Sequence, residues 1–165
     1  MGDRSAAGFR LLHAELGAEL ARVDRVVDEI GEARSVLAAG PSRLDVYGGA
    51  ALLETFYTGL EKALTRAVRP FEGAPGGSAW HRALLEAVIV DVPELRPAIL
   101  SPGAAEAVER FLSFRHRFRN LYLFDLEAAP VSELLASVPE AWRVARRDLE
   151  GFRAWLLLAA KALEP

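Results

Sequence analysis

The chain has 165 residues, 52% of them hydrophobic and 26% charged, with a net charge of −3 and a pI near 5.7. That balance is ordinary for a helix-rich globular protein, so it excludes disorder and argues against broad, counterion-driven nucleic-acid binding. There is no cysteine, which excludes disulfides, thiolate catalysis and cysteine-ligated zinc.

The length suits one domain with a single core. Phe9, Leu12, Leu16, Leu20, Val23, Val27, Ile30 and Leu37 recur at three- and four-residue spacing, which predicts a long amphipathic helix over residues 5–39, stopped by Gly40 and Pro41. Its opposite face mixes Glu15, Glu19, Arg22, Arg25, Asp28 and Glu29; His13 is assigned to that solvated surface and given no role. Residues 1–40 are thus expected to form a helix packed on the remainder of a domain spanning 1–165. The N-terminus resembles no secretory signal and the apolar stretch 154–163 is too short to span a bilayer, so the expected setting is the cytoplasm, with no membrane partner.

A second helix is predicted over residues 43–68 from Leu44, Leu52, Leu53, Phe56, Leu60, Leu64 and Val68. Gly48 and Gly49 either break its first turn or let another backbone pack closely. Tyr57 and Glu61 form an i, i+4 pair on it, ordinarily a boundary contact. Residues 71–78 carry three glycines and a proline and read as a loop. A shorter helix, capped by Ser78, follows to about Val90, with Trp80 facing inward. His81 sits in its first turn, where the helix dipole favours a neutral ring and where a core-edge hydrogen bond is its simplest use. Residues 91–101 form a proline-bearing connection.

The stretch 101–125 starts as a helix should. Ser101 caps it, Pro102 suits the first helical position and Glu106 suits the positive end of the dipole. Ala107, Phe111, Phe114, Phe118 and Leu121 fall on one face, assigned to the core. Beside them run Ala104, Val108, Leu112, Arg115, Arg119 and Tyr122, a half-apolar stripe holding two guanidinium groups, with His116 and Asn120 one step further round. Guanidinium groups on such a stripe need anions, whereas a plainly solvated face would satisfy them with acids from neighbouring helices. The last helical region starts near Val131, and Pro139 either kinks it or begins a new helix that runs to Leu163. The expected fold is therefore all-α, an antiparallel bundle of five to six helices without strands. The sequence contains no internal repeat, phosphate loop or metal-ligand cluster, so neither metal nor cofactor is expected.

At FRHRFRNLY the chain resembles the HepT-like ribonuclease toxins of the HEPN fold, whose signature is an arginine, four residues, a histidine, one residue and a tyrosine. Arg115 and Tyr122 keep that spacing, and Asn120 stands where the histidine belongs. Residues 52–66 and the Trp80-His81-Arg82-Ala83-Leu84-Leu85 run are similar to further segments of the same family. The resemblance implies a HEPN-like helical bundle and metal-independent RNA cleavage at a homodimer interface. It implies that Arg115 polarises the scissile phosphate, and it implies a nucleotidyltransferase antitoxin as partner, acting on Tyr122. Asparagine cannot titrate, so the acid–base step would fall to His116, one turn earlier, in preference to a register built on Arg119 and Asn120. Tyr57, Glu61 and His81 would support the site, with Glu61 orienting the ring of His81. The alternatives are a catalytically inactive HEPN module that binds nucleotide, RNA or the partner enzyme, and a purely structural dimerisation protein.

Overall fold

Serine side chains start both N-terminal helices. Ser5 Oγ accepts from the backbone N–H of Gly8 at 3.0 Å, and Ser42 and Asp45 exchange bonds in a capping box. The computed structural model describes residues 4–73, 80–118 and 125–164. Among the described residues the chain forms α1 (Ala6–Ala38), α2 (Arg43–Glu72), α3 (Trp80–Val88), α4 (Pro102–Phe118) and α5 (Ala128–Ala162), an all-α bundle. They contain no strand, only an isolated bridge between Val92 and Arg96.

The layout is antiparallel where it is longest. Asp24 accepts from Trp142 Nε1 at 2.8 Å and pairs with Arg146, His13 meets Arg153, and Arg10 pairs with Glu164, so α1 and α5 run in opposite directions. One connected core draws on all five helices. Within it Phe56 of α2 meets Phe111 of α4 at 5.0 Å and Trp142 of α5 at 6.2 Å, both edge-on, tying the three helices at one level.

Several local expectations need correction. The second helix does not stop at Val68, because Phe71 packs on Phe9, Phe152 and Trp155 and holds the turn around Pro70 helical until Gly73 ends it at φ 81°. Of the two outcomes open at Pro139, a new helix does not occur, and α5 runs on through that residue. Its neighbours Val138, Ala141 and Trp142 are buried, and their packing outweighs the roughly 3 kcal/mol that proline costs inside a helix. Gly48 and Gly49 do not break α2, whose helix is continuous through them. His13 is half-buried rather than solvated: its Nδ1 lies 3.0 Å from the Arg153 carbonyl oxygen, and its Nε2 lies 3.2 Å from Arg153 Nη2.

The connection before α4 is anchored by Arg96, whose side chain is fully buried. Its guanidinium donates to the carbonyls of Ala87, Val90 and Pro97 and pairs with Glu72. Ser101 Oγ then caps α4, 3.4 Å from the backbone nitrogen of Ala104, and Asp148 accepts from both the N–H and the hydroxyl of Ser101.

The core-facing side of α4 includes the expected line and is wider than it. Phe111 and Phe114 of the expected line are buried, and Ala107 and Phe118 are half-buried against the core; Ala104, Val108 and Leu112 are buried as well. The buried side therefore widens from the phenylalanines to Ala104 and Val108, and at its end Arg115 is half-buried. Val108 and Leu112 are therefore covered within the chain itself.

Candidate functional site

Three helices deliver side chains to one point. Tyr57 and Glu61 lie a turn apart on α2 and both are buried. His81 comes from the first turn of α3, and Arg115 and His116 from the last turn of α4. His81 Nδ1 is hydrogen-bonded to Glu61 Oε1, and His81 Nε2 lies 3.2 Å from Arg115 Nη1. A guanidinium only donates, so Nε2 accepts from Arg115 and Nδ1–H donates to the carboxylate. The result is a carboxylate–imidazole–guanidinium chain with the ring neutral and its tautomer fixed.

Each member of the chain is braced. The Arg115 guanidinium carbon lies 5.9 Å from the Tyr57 ring centroid, a cation–π contact. Burial raises the Tyr57 phenol well above its ordinary value, helped by the negative charge of Glu61 and opposed by Arg115, so the phenol stays protonated. Trp80 stacks on the His81 ring at 3.8 Å. His116, exposed, sets its ring edge-on to His81 with centroids 5.7 Å apart. Arg115 Nε is buried without a hydrogen-bond partner among the described residues.

Of the residues singled out in the sequence, the structure brings Tyr57, Glu61, His81, Arg115 and His116 together. Arg119, Asn120 and Tyr122 lie outside the described residues. Sequence reasoning gave Trp80 only a core role and passed over Lys62, Arg66 and Arg69. With Glu61 and Trp80, these line a cavity of about 580 Å³. Their i, i+4, i+7 spacing beside Glu61 was the available signal. Among the described residues no group of three or more His, Asp or Glu side chains is placed to hold a metal ion.

The chemistry such a cluster offers is that of an anion-binding arginine beside a carboxylate-oriented imidazole on an all-helical scaffold. The family described as HepT-like protein matches residues 49–156, more than half of the sequence, and the chain belongs to that family. The match begins inside α2 and leaves α1 outside it. No curated protein and no solved structure gives a significant match. No helix among the described residues is long and apolar enough to cross a membrane.

Proposed function

We propose that the protein is the toxin of a toxin–antitoxin pair, a metal-independent endoribonuclease neutralised by a nucleotidyltransferase antitoxin acting on Tyr122. The observation that carries this reading is the Glu61–His81–Arg115 chain, with His116 beside it. A scissile phosphate draws Arg115 off His81, because a dianionic-like transition state binds a guanidinium far better than a neutral imidazole does. Nε2 of His81 is then free to take the proton of the RNA 2′-hydroxyl. The 2′-oxygen attacks phosphorus, the bond to the 5′-oxygen breaks, and His116 supplies the proton that the leaving oxygen takes up. The products are a 2′,3′-cyclic phosphate and a 5′-hydroxyl end. Two imidazoles on neighbouring helices thus supply the base and acid that Asn120 cannot.

The second reading, an inactive HEPN module that binds RNA or the partner enzyme, is favoured by Asn120 itself. Homodimerisation rests on the family resemblance alone, and light scattering at micromolar concentration tests it. To test the activity, the purified protein is incubated with RNA in the presence of a chelator and the new ends are mapped. Cyclic-phosphate ends formed by the wild type and absent with Arg115→Ala support the ribonuclease. Intact RNA, together with normal growth on expression without the partner, supports the binding module.

A further inference from the structure

The ribonuclease reading makes no use of α1 or of the basic residues in the second half of α2. These come together in the cavity of about 580 Å³, whose walls include Leu11 and Glu15 from α1, Lys62, Arg66 and Arg69 from α2, and Trp80 from α3. The volume falls within the roughly 300–1,000 Å³ of small-molecule sites. Glu61 also lines it, so the cavity shares that residue with the Glu61–His81–Arg115 cluster, and Trp80, which stacks on His81, adjoins both.

The charges of the cavity are unequally matched. Arg66 is held by Glu15 at 2.9 Å and lies 4.0 Å from Glu19. The carboxylate of Glu61 is engaged by His81. Lys62 and Arg69, by contrast, make no ion pair with any described residue. Two uncompensated cations and an indole in one recess call for a ligand with a phosphate and a flat ring. A nucleotide supplies both: its phosphate accepts from Lys62 and Arg69, and its base lies against Trp80.

We infer that this cavity seats a nucleotide of single-stranded RNA flanking the scissile phosphate, with Lys62 and Arg69 holding its phosphate and Trp80 its base. The inference rests on the ribonuclease reading for the polymer it names, and it gives α1 a part in substrate binding although α1 lies outside the segment shared with the family. It also reconciles RNA binding with a net charge of −3, because two cations without an ion pair among the described residues, Lys62 and Arg69, lie in one recess.

The test uses a fluorescent 2′-O-methyl RNA hexamer, which has no 2′-hydroxyl to react, and reads binding to the full chain by anisotropy. The Lys62→Glu/Arg69→Glu pair should weaken binding at least 10-fold at low salt and flatten its salt dependence. Trp80→Leu should weaken it roughly 5- to 150-fold with a smaller change in that slope. Arg34→Glu, an exposed charge on α1 away from the cavity, should leave it unchanged. Equal binding by wild type and the Lys62/Arg69 pair overturns the subsite and leaves the catalytic reading standing, as does a pair that loses only the protein partner. A wild type that binds the hexamer through these residues but never cleaves RNA keeps the subsite and removes the nuclease. A wild type that does not bind the hexamer at all overturns the subsite.

Discussion

Nε2 of His81 sits 3.2 Å from Nη1 of Arg115, so the lone pair that a general base would use is occupied by the residue that would bind the phosphate. Substrate binding and base activation are coupled by that contact, since moving Arg115 onto a phosphate releases the imidazole. Arg115→Ala should therefore lower kcat by about 10²- to 10³-fold, through lost charge stabilisation, even though it uncovers the base. Single-turnover cleavage of a defined oligonucleotide checks it.

Glu61→Gln separates orientation from binding. The amide keeps the size of the side chain but leaves His81 without a carboxylate to hold the Nδ1–H tautomer, so kcat should fall while KM stays close to the wild-type value. Equal losses in both parameters would mean that Glu61 holds the fold and not the ring.

His116→Ala and Asn120→His probe the departure from the family pattern. Removing His116 should reduce cleavage by about 10²- to 10⁴-fold by taking away the acid, whereas restoring the family histidine at 120 should raise it. Wild-type cleavage by His116→Ala would exclude His116 as the proton donor. An inert Asn120→His variant of an inert parent would identify a binding module.

The fold was legible because long, regular apolar spacing and serine caps leave few alternatives: α1 and the start of α4 lie within a residue of where the periodicity puts them. Where the reading failed, a distant contact decided the outcome. Phe71 extends α2 because three aromatic rings from α1 and α5 receive it, and Pro139 stays helical because Trp142 is pinned to Asp24. For the site, the i, i+4 pair of Tyr57 and Glu61 within α2 was visible, but the burial of Val108 and Leu112 beside the phenylalanine line of α4 was not. Periodicity locates an apolar stripe to within one residue's 100° step, and that step separates Ala107 from Val108. The cavity basic residues were passed over because Lys62, Arg66 and Arg69 are exposed and look like any solvated helix face; only the packing of α1 and α3 beside α2 makes that face one wall of a recess.

The paired glycines of α2 give opposite expectations. Gly48 is exposed, and a methyl group there meets nothing within 4 Å, so Gly48→Ala should stabilise the protein by about 0.5–1 kcal/mol through helix propensity. At Gly49 the same methyl group would come within 3.0 Å of Leu135 Cδ1 and 3.2 Å of Val131 Cγ1, both on fully buried residues of α5. Gly49→Ala should cost about 1–3 kcal/mol by overpacking, less the propensity it gains. Urea denaturation of the two variants decides it, and equal effects would mean that α5 yields.

Ser101 and Asp148 set an acid limit on the start of α4. Asp148 accepts from the Ser101 N–H at 2.9 Å and from its hydroxyl at 2.6 Å, so the residue that caps α4 is itself fixed by α5. Burial pushes the Asp148 carboxyl up, but the two bonds from Ser101 and the neighbouring Arg147 outweigh it and hold the group below the usual carboxylate range. A carboxyl that titrates lower in the folded than in the unfolded chain stabilises the fold fully above its unfolded value, about 3.9. That contribution disappears as pH falls through the lower, folded value. Asp148→Asn keeps a neutral acceptor and loses the charge, so it should be less stable than wild type by on the order of 1 kcal/mol at pH 7, the excess of a charged over a neutral hydrogen bond. As the wild-type carboxyl protonates in acid, the two proteins should converge. Urea midpoints at neutral pH and below the folded titration point measure both values, and a gap that stays constant with pH would show that Asp148 acts through its shape and not its charge.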